Sequence, residues 1–194
     1  MTQFLTAPIA LDPVVRARVV RLGALANLIV SYFDEMVDGG WPRSLLLPHW
    51  ALRSAATRPG RLMLDVAAYL APRPSRLTTR LVSEYFCRLA SLPYAAHRPR
   101  VFADVRGTIT EMYLEEGRTP REWRRLRGDA ARQKKTALPF VVLGLPAWLG
   151  CRNCRRAHYD RHRRWLVRLG KFIRWIDDAA DVTSDETAGS ANLV

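Results

Sequence analysis

The sequence predicts an all-α fold, and three observations carry that prediction. Sustained alternation of apolar and polar residues, the mark of half-buried strands, is absent. The longer segments repeat their apolar residues at helical spacing instead. The clearest of them also has both a start and a stop signal.

That segment follows Asp12-Pro13, an N-cap residue and a first-turn proline. Apolar side chains recur at Val15, Val19, Leu22, Leu25, Ala26, Ile29, Val30, Phe33 and Val37, and Gly39-Gly40 ends the run. Twenty-six residues make a helix about 39 Å long at 1.5 Å per residue. A helix of this length in a small protein belongs in a bundle. Residues Trp41–Gly60 hold three prolines and read as a loop with one short helix. Helical patterns follow at Arg61–Ala71, Ser75–Ala90, Val101–Glu116 and Pro120–Lys134. The apolar segment Thr136–Leu149 comes next, then a turn at Cys151–Arg155 and a last helix from about Ala157 to Val182. The expectation is one helical domain over residues 1–182 with a fraying polar tail at 183–194.

The chain has 194 residues, enough for a core without disulfide staples. Three cysteines are too few for a secreted disulfide scaffold, and no basic segment opens a signal peptide. The longest apolar run, Ala137–Cys151, is 15 residues and contains Pro139 and Pro146. A membrane span needs about 20 residues, so this run reads as a buried helix in a cytoplasmic protein. The formal net charge is +13, with 28 Arg and only 3 Lys. Such a charge fits nucleic acid or an anionic small ligand. The arginines spread from Arg16 to Arg174 rather than forming one patch, so a nucleic-acid partner is not expected.

Two acidic clusters stand out. The first helix ends Tyr32-Phe33-Asp34-Glu35-Met36-Val37-Asp38, and the last ends Trp175-Ile176-Asp177-Asp178-Ala179-Ala180-Asp181. In each, the outer carboxylates are four residues apart and share one helix face. Like charges on one face cost stability, and the macrodipole disfavours them near a C-terminus. The same two rules broken twice mark function more often than chance does. Facing carboxylate clusters suit hard cations: Mg²⁺ takes oxygen ligands and completes its shell with waters and substrate phosphates. The metal ligands expected are Asp34, Glu35, Asp38, Asp177, Asp178 and Asp181.

With these clusters the sequence resembles the trans-prenyl diphosphate synthases and their class I terpene synthase relatives, which carry two D-D-x-x-D motifs on facing helices of an α-bundle. Further residues fit. After four intervening residues, Asp38 is followed by Arg43-Ser44, which keeps one of the family's two arginines. Gly107-Thr108-Ile109-Thr110-Glu111 looks like a drifted G-Q-x-x-D element. Lys134-Lys135-Thr136-Ala137-Leu138 matches the family's Lys-Thr element, and Lys135 precedes Asp177 by 42 residues. Asp185 and Gly189 echo the run after the second motif.

The resemblance covers roughly residues 15 to 190. It implies an antiparallel bundle of the isoprenoid synthase type that lacks some N- and C-terminal helices. It implies several Mg²⁺ ions, an allylic prenyl diphosphate substrate, and a homodimer or hetero-oligomer. Asp34, Asp38, Asp177 and Asp181 then carry catalysis through the metal, and Arg43, Lys135 and Arg174 bind the diphosphate. Phe33, Met36, Phe140 and Trp175 are the expected cavity lining.

The departures are specific. The family's upstream Gly-Lys-x-x-Arg element has no room here, the second arginine is Ser44, and Arg174 replaces a usual Gln. In the family the upstream element and the second arginine go with the homoallylic cosubstrate, so ionisation of the allylic diphosphate is implied more securely than chain elongation. The alternatives are a non-catalytic synthase-like subunit or a basic zinc module that binds nucleic acid. The second rests on Cys151, Cys154, His158 and His162. On one helix these four form a stripe about 16 Å long, too long for a single ion with bonds of about 2.0–2.3 Å. His49, His97 and Cys87 read as structural.

Overall fold

A computed structural model describes residues 1–38, 55, 57–70, 73–116 and 129–188. Within those helices the side chains at 33, 34, 37, 38, 73–75, 113–116, 129–136, 174 and 177–188 are outside the description. The described elements are α1 (Thr2–Thr6), α2 (Pro13–Asp38), α3 (Arg58–Leu70), α4 (Arg73–Ala90), α5 (Pro99–Glu116), α6 (Asp129–Gly144), α7 (Ala147–Gly150) and α8 (Arg156–Ala188). Among the described residues there is no strand. The all-α expectation therefore holds.

The start of α2 forms as its sequence dictates. The Asp12 carboxylate accepts from the amides of Val14 (2.9 Å) and Val15 (3.4 Å), which satisfies two of the helix's orphan donors. Three boundaries differ from expectation. Residues 1–12 supply a helix, α1, whose Thr2, Leu5 and Thr6 are buried. The segments expected at Pro120–Lys134 and Thr136–Leu149 are joined across Lys135-Thr136 in α6, because nothing there breaks a helix. The chain turns at Leu145-Pro146 instead. The last helix continues to Ala188, since neither glycine nor proline occurs between Gly170 and Gly189.

The core forms around α6. It packs on α8 most extensively, and also on α5, α2 and α1, while α3 packs on α4 and α4 on α2. Two glycines permit the α6–α8 approach. A methyl group at Gly144 would lie 2.7 Å from both Cδ atoms of Leu166, and one at Gly170 would lie 2.5 Å from the Ala137 Cα. These contacts run in opposite directions along the two helices, so α6 and α8 are antiparallel. Pro139 sits inside α6 and removes the helical donor to the Lys135 carbonyl.

The α7 end of the bundle is a hub of hydrogen bonds. Trp148 Nε1 donates to His162 Nδ1 (2.8 Å), and His162 Nε2 meets the Leu5 carbonyl (2.9 Å). The Tyr94 amide donates to the Leu149 carbonyl (2.9 Å). The Arg98 guanidinium donates to the Trp148 carbonyl and, at 3.2 Å, to the Arg152 carbonyl. Four parts of the chain, from α1 to α8, are thereby tied to one short helix.

Two sets of substitutions test this packing. Gly170→Ala should destabilise the fold by about 1–3 kcal/mol, because the added methyl meets the α6 backbone. Gly107→Ala, also inside a helix but with nothing within 4 Å among the described residues, should stabilise it by about 0.5–1 kcal/mol. Urea unfolding measures both, and equal shifts would refute the close crossing. The Tyr85 hydroxyl is fully buried and has no hydrogen-bond partner among the described residues. Tyr85→Phe should therefore leave stability unchanged or raise it by about 1 kcal/mol.

Candidate functional site

The topology decides where the acidic segments lie. α2 starts beside α7, where Gly150 packs tightly on Val15. Its other end reaches the start of α4, where the Thr78 hydroxyl donates to the Met36 sulfur (3.3 Å). α8 also starts at α7, through His162 and Trp148, and runs antiparallel to α6. Both helices therefore run away from α7 and flank α6. The α2 segment therefore lies beside the start of α4, and the α8 segment falls where α6 begins. Lys135, in the second turn of α6, belongs to the same end.

The backbones of Asp34, Glu35 and Asp38 form the last two turns of α2, and the Glu35 side chain is exposed. The backbones of Arg174, Asp177, Asp178 and Asp181 are helical within α8. The second cluster was expected at a helix C-terminus, but α8 continues seven residues beyond Asp181. The macrodipole penalty fades beyond the last turn, so it applies to Asp38 and not to Asp177. Arg43 lies outside the described residues, as do the side chains of Phe33, Asp34, Asp38, Lys135, Arg174, Asp177, Asp178 and Asp181.

Of the expected lining residues, Met36 and Phe140 are buried, and Phe140 lies beside Gly170. Trp175 is 60% exposed and does not line an interior cavity. The reason is its register: nine residues beyond Leu166 place it on the opposite face of α8 from that buried contact.

The Gly107–Glu111 segment lies within α5. Gly107, Thr108, Thr110 and Glu111 line an open groove of about 530 Å³ together with Asp104 and Arg163. The two threonine hydroxyls donate to helix carbonyls, Thr108 to Asp104 (2.8 Å) and Thr110 to Arg106 (3.0 Å). The Asp104 carboxylate accepts from the Tyr159 hydroxyl. Burial and this carboxylate push the Tyr159 hydroxyl's pKa well above the usual phenol range.

The four zinc-type residues do not converge on one point. Cys151 and Cys154 form a disulfide rather than offering two zinc ligands. His158 is exposed, and His162 is buried with both ring nitrogens engaged. Among the described residues no cluster of three or more His, Cys, Asp or Glu is placed to hold a metal ion. Sequence reasoning missed the Trp148–His162–Leu5 chain and the carbonyl-binding role of Arg98. The Cys-x-x-Cys spacing was the one visible sign of the disulfide.

No protein-family model matches the chain, and no curated protein and no solved structure matches it.

His162 gives the α7 hub a pH dependence. Its Nδ1 accepts from Trp148, so Nε2 carries the proton and donates to Leu5. Burial lowers its pKa below the usual histidine value, outweighing the Leu5 carbonyl, which raises it. With the folded value depressed, the unfolded chain binds the proton first. Stability is then full above about pH 6.5 and falls as pH drops below it, by at most about 1.4 kcal/mol per pH unit. Unfolding midpoints of the wild type between pH 7.5 and 5 should show this loss. His162→Phe, less stable at pH 7.5, should lack it, and equal slopes would overturn the assignment.

Proposed function

We propose that the chain ionises an allylic isoprenoid diphosphate, releasing inorganic diphosphate, as a polyprenyl synthase-like transferase or a terpene cyclase. One observation carries this reading. Both acidic segments lie on helices that pack on α6 and run away from α7, in an all-α bundle.

The donor set is entirely carboxylate: Asp34, Glu35 and Asp38 on α2, and Asp177, Asp178 and Asp181 on α8. That chemistry fits a hard cation and excludes soft-metal selectivity. Magnesium bound there would neutralise the diphosphate and stabilise it as a leaving group. Arg43, Lys135 and Arg174 add positive charge for the remaining phosphate oxygens, and guanidinium forks suit them geometrically. Heterolysis breaks the C1–O bond, and the electron pair leaves with the diphosphate. The allylic cation then needs apolar, water-poor surroundings, for which the buried Met36 and Phe140 are the candidates.

The experiment is diphosphate release from geranyl, farnesyl and geranylgeranyl diphosphate with Mg²⁺. Folded wild-type protein should release it from at least one of the three. Asp34→Asn and Asp177→Asn should each reduce the rate about 100-fold or more with unchanged circular dichroism. No release by folded wild-type protein, or full activity in either variant, overturns the reading. The first result would leave a non-catalytic synthase-like subunit.

A further inference from the structure

The outer face of α8 carries an apolar stripe that the bundle does not cover. Trp165, Phe172 and Ile176 recur at i, i+7 and i+11, on one helix face about 16 Å long. Phe172 and Ile176 are more than half exposed, at 59% and 52%. Trp175 stands beside them. At the α7 end the stripe broadens, because the exposed Phe4 ring lies 6.2 Å from the Trp165 ring.

A basic row runs alongside. Arg161, Arg164, Arg168 and Lys171 occupy the neighbouring strip of α8, and the three arginines are exposed. From Arg152 to Lys171 the chain has seven Arg and one Lys against a single acidic residue, Asp160.

We propose that this face docks on an anionic membrane surface. The apolar stripe would enter the boundary between headgroups and acyl chains, and the basic row would meet the anionic headgroups. An aromatic and aliphatic stripe beside a cationic one is the pattern of a helix lying in the interface plane. Charge complementarity selects this occupant. A second copy would bring two basic rows together, in a chain whose net charge is already +13. A nucleic acid would meet the cations and leave Phe172 and Ile176 in water. No helix among the described residues is long and apolar enough to cross a membrane, so the contact is peripheral.

The test is co-sedimentation of the full chain with vesicles of phosphatidylcholine, alone or mixed with phosphatidylglycerol. Wild-type protein should bind the mixed vesicles at least tenfold more tightly, and salt should weaken that binding. The double variant Phe172→Ser/Ile176→Ser should lose at least tenfold in affinity. Arg164→Gln/Arg168→Gln should lose the preference for anionic vesicles. The control is Leu62→Ser/Tyr69→Ser, which changes another exposed apolar face, that of α3, and should bind as wild type does. Failure of the wild type to bind overturns the proposal, as does equal loss in the control. Light scattering that shows a wild-type dimer dispersed by Phe172→Ser/Ile176→Ser would assign the face to a second copy and also overturn it. DNA binding as tight as vesicle binding and unchanged in that variant would do the same for nucleic acid.

Discussion

The fold depends on how closely α8 approaches α6. Two glycines make that approach possible, Gly144 against Leu166 and Gly170 against the Ala137 backbone. Because α8 lies against α6 in the opposite direction, its acidic segment arrives at the N-terminal end of α6. α2, which also packs on α6, runs to the start of α4. A wider α6–α8 separation would leave Leu166 and Phe140 without their neighbours. Pro139 lies in the same stretch, and the carbonyl it leaves unpaired in the helix belongs to Lys135. The close Gly170–Ala137 contact and an interrupted backbone ladder thus fall within about one turn of a proposed diphosphate-binding residue.

Much of the helical layout was legible because it is written locally. Asp12-Pro13 fixed the start of α2, and the apolar spacing of Val15 to Val37 fixed its face. The boundary at Lys135-Thr136 was misplaced because the change from polar to apolar composition looked like a joint. A helix continues through such a change when no glycine or proline interrupts it. Trp175 was misread for a different reason. An aromatic residue next to an acidic motif suggests a lining role, but its direction is set by helical register against Leu166. The pairing of His162 with Trp148 and Leu5 was not legible at all, since it joins residues that only the tertiary fold brings together. For the acidic clusters, the sequence supplied spacing and residue type, and the topology adds which end of the bundle they occupy.

The excess of arginine now divides into separate uses. Arg98 binds main-chain carbonyls at the α7 hub, and Arg16 reaches the Ile9 carbonyl at 3.4 Å. Arg88 pairs with Glu84 one turn away at 2.5 Å, an exposed pair of small energetic weight. The row on α8 is different, because it lies beside exposed apolar side chains rather than among carboxylates. A single net charge conceals these differences, since backbone carbonyls, carboxylates and lipid headgroups make separate demands on the same guanidinium group.

The hydrogen bond between Leu5 and His162 spans 157 residues of sequence. α1 leaves the ribosome well before its partners on α6 and α8 are made. Leu5, fully buried in the finished protein, must therefore wait in solvent or find temporary cover while the rest of the chain is made. Vectorial synthesis thus makes this buried contact wait for the later of its two partners.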